Sequence, residues 1–144
     1  QYIGMGFLAF SITMTLGRFL GDGISARIGS VKIVSLGTFM AIIGYGLVLS
    51  GTLFITILGF ALIGLGFSAI IPELFRIGGN VKGVESSQGI AFIAGTGISG
   101  FLLGPVVLGF LAEHFSLQMS FGLLLVCAII VLGASFVLKR KRSA

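Results

Sequence analysis

The sequence predicts an all-α membrane protein with five transmembrane helices, its N-terminus outside and its C-terminus in the cytoplasm. Three observations lead to this class: the composition, the length of the uncharged runs and the positions of the basic residues. Charged residues make up 9% of the 144 residues, against about 25% in an ordinary soluble domain. With a mean hydropathy of +1.20, the chain requires lipid as its solvent.

Long uncharged runs define the spans. They cover residues 1–17, 33–72, 86–112 and 115–138. About 20 apolar residues cross a bilayer, so the forty-residue run holds two spans, and Ser50-Gly51-Thr52 is the break between them. The predicted spans are therefore about 2–20, 31–50, 53–75, 87–111 and 117–138.

The basic residues predict the orientation. If five spans alternate in direction, all nine Lys and Arg residues fall on one side of the membrane: Arg18, Arg27, Lys32, Arg76, Lys82 and residues 139–142. Basic residues favour the cytoplasmic side. The net charge of +5 then reflects orientation in a cytoplasmic (inner or plasma) membrane, and no nucleic acid is expected as a partner.

Signatures of enzymes are absent from the sequence. The single histidine, His114, has no nearby cysteine or second histidine with which to share a metal, and no catalytic residue, metal or cofactor is expected. No charge lies near the middle of a span. Glu73 and Glu113 lie near span ends, so we expect them at the level of the lipid headgroups, and the alternative is that one of them serves as a coupling acid.

The fourth predicted span carries a ridge of small residues. Thr96, Gly100 and Gly104 are spaced by four, which places them on one helix face where another helix can approach closely. Pro105 follows directly and removes a backbone donor. Two interpretations stay open for Gly100, Gly104 and Pro105: a static kink that serves packing, or a flexible element beside a substrate path.

Uncharged polar residues inside the spans are candidates for a substrate cavity. The best candidates are Ser11, Thr15, Phe67, Ser68, Thr96 and Ser99. The alternative for each hydroxyl is a hydrogen bond to its own helix backbone. A cavity of hydroxyls and aromatic rings without charge suits a small neutral polar or amphipathic solute.

The segment 17–32 carries the resemblance to a known family. Its matching residues are Gly17, Arg18, Gly21, Asp22, Arg27, Gly29 and Lys32. They resemble the second copy of the signature loop of the major facilitator superfamily. The stretch from Gly100 to Pro105 and on to Glu113 resembles that family's eleventh helix, and residues 64–72 resemble its tenth.

This resemblance implies a fold and a function. The chain would supply helices eight to twelve of a twelve-helix secondary transporter, which works by alternating access as a symporter or antiporter. Its partners would be the bilayer, the solute and the missing N-terminal half of the same chain, because Gln1 begins already inside an apolar run.

Two positions depart from the family pattern. Ser30 stands after Gly29 where a basic residue is usual, which leaves only Lys32. Ala26 stands where an acid usually precedes Arg27, which leaves Asp22 as the acid of the segment. Two roles stay open for the segment: a cytoplasmic gate that uses Asp22, or an orientation signal made by its basic residues. An alternative for the whole chain is a small membrane-embedded permease or assembly subunit that acts with partner chains.

Overall fold

Five helices make up the part of the chain that the structure describes. The computed structural model describes residues 4–143, without the side chains of residues 22, 24–26 and 139–143. The helices are α1 (Met5–Ile28), α2 (Ser30–Leu49), α3 (Leu53–Gly78), α4 (Ser86–His114) and α5 (Leu117–Ser143). The predicted all-α class with five helices is confirmed.

Four helices are long and apolar enough to cross a membrane. They are Ser30–Leu49, Leu53–Gly78, Ser86–His114 and Leu117–Leu138, whereas the apolar part of α1, Met5–Gly21, is shorter. The chain is a multi-pass membrane protein. Its orientation stays a prediction, because the length and composition of a helix do not distinguish the two sides of a membrane.

The segment predicted as a loop is almost entirely helical. α1 continues through residues 21–28, and only Gly29 separates it from α2. Gly29 has a φ of 85°, a left-handed conformation that glycine adopts without steric cost. Nothing before Gly29 forbids a helix, since Gly21 and Gly23 only weaken one. The turn therefore occupies a single residue.

Pro72 does not end α3. The helix continues six residues beyond it to Gly78, three residues past the end of the predicted span. A proline inside a membrane helix is tolerated where neighbouring groups compensate for the lost backbone hydrogen bond.

Paired glycines bring α2 and α3 into backbone contact. A Cβ atom built on Gly44 would lie 2.7 Å from the carbonyl oxygen of Gly59, and one built on Gly37 would meet the carbonyl oxygen of Gly66. The pairs 37–66 and 44–59 run in opposite directions, so the two helices are antiparallel. Such close approach is what small residues allow in a membrane bundle.

The packing of α1 on α3 sets the direction of α1. α1 runs parallel to α3, because Gly6 lies against Phe60 and Gly17 lies against Ser68.

α5 runs antiparallel to α2. The hydroxyls of Ser35 and Ser135 lie 2.8 Å apart, and the ring centroids of Tyr45 and Phe121 lie 6.5 Å apart. Tyr45 is only 5% exposed and belongs to the small core that α2 forms with α3 and α5. Since successive helices reverse direction, the α1–α2 junction, the α3–α4 connection and the end of α5 lie at the same end of the bundle.

α4 is the helix least covered by the rest of the chain. Gly89, which packs on Gly78, is its only buried residue among those described. Farther along α4, a Cβ on Gly100 or Gly104 would meet nothing within 4 Å. At its other end, Ser120 Oγ donates a hydrogen bond of 2.8 Å to the carbonyl of Leu108. α4 therefore presents a long open face.

Candidate solute-binding site

Two adjoining pockets form a groove over one face of α3, which we call the α3 groove. The first pocket, of about 380 Å³ between α1 and α3, is lined by Arg18, Gly21, Ser68, Ala69, Ile71, Pro72, Glu73 and Phe75. The second, of about 560 Å³ between α3 and α4, is lined by Ile71, Leu74, Phe75, Ile93, Ala94, Thr96, Gly97, Ile98 and Phe101. Ile71 and Phe75 line both pockets, so the two adjoin at this part of α3.

The first pocket contains charge. Glu73 is 2% exposed, and its carboxylate accepts a hydrogen bond of 3.3 Å from Nη1 of Arg76, whose side chain is half exposed. Arg18 lines the pocket, whereas Arg76 does not. The expected place of Glu73 at the level of the lipid headgroups stays a prediction, because burial within the bundle does not measure depth in a membrane. An ionised carboxylate at low exposure requires such a cationic partner.

The second pocket is apolar except for Thr96. Its walls are aliphatic and aromatic, with Phe75 on α3 and Phe101 on α4. The hydroxyl of Thr96 donates to the carbonyl of Phe92 at 2.8 Å. One half of the α3 groove is therefore charged, and the other presents apolar side chains.

Both prolines of the chain act on residues that line the α3 groove. A helical residue donates its N–H to the carbonyl four residues earlier, and proline has no N–H. Pro72 therefore leaves the carbonyl of Ser68 without that donor, and Pro105 does the same for the carbonyl of Phe101. Each half of the groove thus has a wall residue whose carbonyl lacks its usual helical bond.

The predicted cavity residues separate into two groups. Ser68 lines the first pocket and Thr96 the second. Ser68 is buried and donates to the carbonyl of Leu65 at 2.6 Å.

Two of the remaining hydroxyls, those of Thr15 and Ser99, bond to the backbone of their own helix, as those of Ser68 and Thr96 also do. Thr15 donates to the carbonyl of Ser11 at 2.8 Å, and Ser99 donates to the carbonyl of Gly95 at 2.9 Å. None of Ser11, Thr15 and Ser99 lines either pocket of the groove.

Phe67 points into the interior of the bundle. Its ring centroid lies 6.4 Å from that of Tyr45, and Phe67 packs against the core. Consecutive residues of an α-helix are about 100° apart around the axis, so Phe67 and Ser68 contribute to different surfaces. Ser68 and Phe67 therefore do not share a cavity.

The residues of the segment 17–32, which we call the signature segment, lie in different surroundings along α1. Gly17 and Gly21 face α3, and Arg18 lines the groove. Arg27 and Gly29 are exposed at the α1–α2 junction. The side chain of Asp22 lies outside the described residues, so its role as a gate stays a prediction.

The wall shared by the two pockets was not found from the sequence. Ile71 and Phe75 carry no signal that separates them from other apolar residues of the span. Glu73 was recognised only as an acid near a span end, so its burial in the wall of this pocket was not predicted either.

Comparison with known proteins identifies the class of this helical bundle. The sequence profile described as the Major Facilitator Superfamily matches residues 1–144. The chain belongs to that superfamily, and the resemblance drawn from the signature segment is confirmed.

Three relatives illustrate the match. The chain is 38% identical over 120 residues to an uncharacterised MFS-type transporter of Yersinia pestis, covering 83% of this chain and 31% of the relative. It is 31% identical over 144 residues to the membrane protein MosC of Rhizobium meliloti, covering 99% of this chain and 35% of that relative. It is 30% identical over 137 residues to the uncharacterised transporter y4wD of Sinorhizobium fredii, covering 94% of this chain and 36% of that relative.

These relatives are much longer than the chain. The chain spans about a third of their length, and no solved structure matches it. The superfamily consists of membrane transporters, which in general are not enzymes, and the match does not favour the alternative of a small permease or assembly subunit.

Proposed function

We propose that the chain is the C-terminal part, helices eight to twelve, of a secondary carrier that moves a small amphipathic organic solute by alternating access. The α3 groove is the observation that carries this proposal. Its two halves differ in polarity and meet at Ile71 and Phe75. Pockets of about 300–1,000 Å³ with mostly apolar walls and a few polar groups suit small organic ligands.

The chemistry of the walls selects the class of solute. The apolar part of the solute packs against Phe75 and Phe101 in the second pocket. Its polar part faces Arg18 and Glu73 in the first. A hydroxyl or amine on the solute donates to a carbonyl released by one of the prolines. Of the neutral polar and amphipathic solutes, the groove favours the amphipathic ones.

The open face of α4 suits a second half of the same chain. Gly100 and Gly104 leave space for a close helix partner, and the relatives are long enough to supply one. In transporters built from repeats, solute sites lie at the interface between halves, which rock against each other. A flexible α4 near Pro105 would move with that rocking.

The basic end of the bundle supports an orientation. Eight of the nine Lys and Arg residues of the sequence lie at or near the α1–α2 junction, the α3–α4 connection and the end of α5, and the ninth, Arg18, lies in α1 about 15 Å before the junction. By the positive-inside rule this end faces the cytoplasm, which gives an external N-terminal end in a plasma membrane. In this orientation Gly17, Gly21, Asp22, Arg27, Gly29 and Lys32 belong to a cytoplasmic gate, with Asp22 as its acid.

A binding measurement on the full-length protein tests the proposal. Amphipathic solutes that raise its thermal unfolding temperature are found first, and their Kd is then measured for Phe75→Ala and for Phe54→Ala. Phe54 is 78% exposed near the start of the same helix, so it serves as the matched control.

We expect Phe75→Ala to weaken binding about tenfold. Losing contact over about 60 Å² of apolar surface costs about 1.5 kcal/mol at 25 cal/mol per Å². Phe54→Ala should leave the Kd unchanged. Equal Kd values for Phe75→Ala and the wild type would show that the solute binds elsewhere.

A further inference from the structure

A second groove lies between α2 and α5, outside the α3 groove. It has a volume of about 240 Å³ and is lined by Lys32, Ser35, Leu36, Phe39, Leu132 and Phe136. We call it the α2–α5 groove. None of its residues lines the α3 groove, and the solute chemistry proposed above makes no use of it.

The polarity of this groove changes along its length. Ser35 and Ser135 join the two helices through their hydroxyls at 2.8 Å. Lys32 precedes Ser35 by three residues on α2, or about 4.5 Å along the helix axis, in the direction of the basic end. Phe39 lies about as far beyond Ser35 in the opposite direction. Among the described residues that line the groove, Lys32 at its mouth is the one cation, and the other walls are apolar apart from Ser35.

The cation is available to a ligand. Lys32 is exposed and forms no ion pair with any side chain that the structure describes. The apolar walls are also open: Leu36, Phe39 and Phe136 are 54%, 52% and 54% exposed. A ligand that fits this groove has an anionic head and an apolar tail.

More positive charge belongs to the same end of α5. The helix runs to Ser143, and four consecutive basic residues, 139–142, begin four residues after Ser135. Their backbone starts about 6 Å beyond the serine contact. Basic residues directly beside a membrane span attract anionic lipid headgroups, by about 1 kcal/mol for each residue near the surface.

We infer that the α2–α5 groove binds an anionic phospholipid from the surrounding leaflet. The phosphate lies beside Lys32, and an acyl chain lies along Phe39 and Leu132. The charge complementarity of the mouth and the exposed apolar walls carry this inference, which depends neither on the transported solute nor on which side of the membrane is cytoplasmic.

Lipid retention by the full-length protein tests the inference. Purified protein is titrated with phosphatidylglycerol or with phosphatidylcholine of the same acyl chains, and bound lipid is counted by native mass spectrometry. The variants are Lys32→Gln, Lys32→Arg and Lys82→Gln. Lys82 is an exposed basic residue in the α3–α4 connection at the same end of the bundle, so it controls for general attraction.

We expect phosphatidylglycerol to be retained more strongly than phosphatidylcholine. Lys32→Gln should weaken its binding about fivefold, which is the effect of removing one interfacial charge. Lys32→Arg and Lys82→Gln should bind as the wild type does. Lys32 is exposed, so its replacement leaves the packing of the bundle intact.

Three results would overturn the inference. Equal retention of the two lipids would show that the negative charge of the headgroup does not contribute to binding. If Lys82→Gln and Lys32→Gln weakened lipid binding equally, the lipid would be held by general attraction to the basic end and not by the groove. Binding of glycerol phosphate as tight as that of phosphatidylglycerol would show that the head alone is bound and that the apolar walls contribute nothing.

Discussion

Replacing Gly44 by alanine tests the backbone contact between α2 and α3. The added Cβ would lie 2.6 Å from Cγ1 of Ile63, 2.7 Å from the carbonyl oxygen of Gly59 and 3.1 Å from the backbone nitrogen of Ile63. Two of these three atoms belong to the backbone of α3. The methyl group therefore fits only if the helices separate.

Two opposing contributions set the size of the effect. Overpacking of a tight contact costs about 1–3 kcal/mol. Alanine recovers up to about 1 kcal/mol, because glycine is the weaker helix former. We expect Gly44→Ala to lower the free energy of unfolding by about 1–2 kcal/mol.

Gly46 supplies the matched control. It lies on the same helix only two residues away, and a Cβ there would meet nothing within 4 Å. Gly46→Ala should therefore leave the stability unchanged or raise it by up to about 1 kcal/mol.

The assay is equilibrium unfolding of the full-length protein in mixed micelles, followed as the fraction of denaturing detergent rises. Both variants are compared with the wild type under one set of conditions. Equal unfolding free energies for Gly44→Ala and Gly46→Ala would refute the close approach of α2 and α3.

Two further predictions concern transport by the full-length protein. Asp22→Asn should lower the rate of solute uptake while membrane insertion stays normal, because a gate needs its acid; unchanged uptake would leave the segment as an orientation signal only. Pro105→Ala should change uptake more than abundance in the membrane, because it restores the donor to the carbonyl of Phe101 and stiffens α4; equal loss of both would favour a static kink that serves packing.

Much of the fold could be predicted from the sequence because lipid imposes a simple rule. An uncharged run of sufficient length becomes a helix, and a break such as Ser50-Gly51-Thr52 separates two. The ends of helices were harder to locate. Charge at Arg27 suggested a loop, yet a charged residue can continue a helix past the apolar region, and only the left-handed Gly29 ends α1.

The contacts between helices could not be predicted. The sequence contains 24 glycines, and nothing in a single sequence distinguishes Gly44, which meets α3, from Gly46, which meets nothing. The partner helix decides between them.

The same limit applies to the candidate site. Phe67 and Ser68 are neighbours in sequence, but the helix turns one toward Tyr45 and the other toward α1. The burial of Glu73 depends on the residues that cover it, which lie on more than one helix. Residue type suggested the chemistry of the site, and only packing determined which side chains share a pocket.

A topology measurement on the full-length protein tests the central claim, an alternating bundle whose basic end faces the cytoplasm. Reporters that are active on only one side of the membrane are fused after Arg142 or inserted at Gly51, in the connection between α2 and α3. We predict a cytoplasmic signal after Arg142 and an external signal at Gly51. Signals from the same side, or the reverse assignment at either position, would contradict the account.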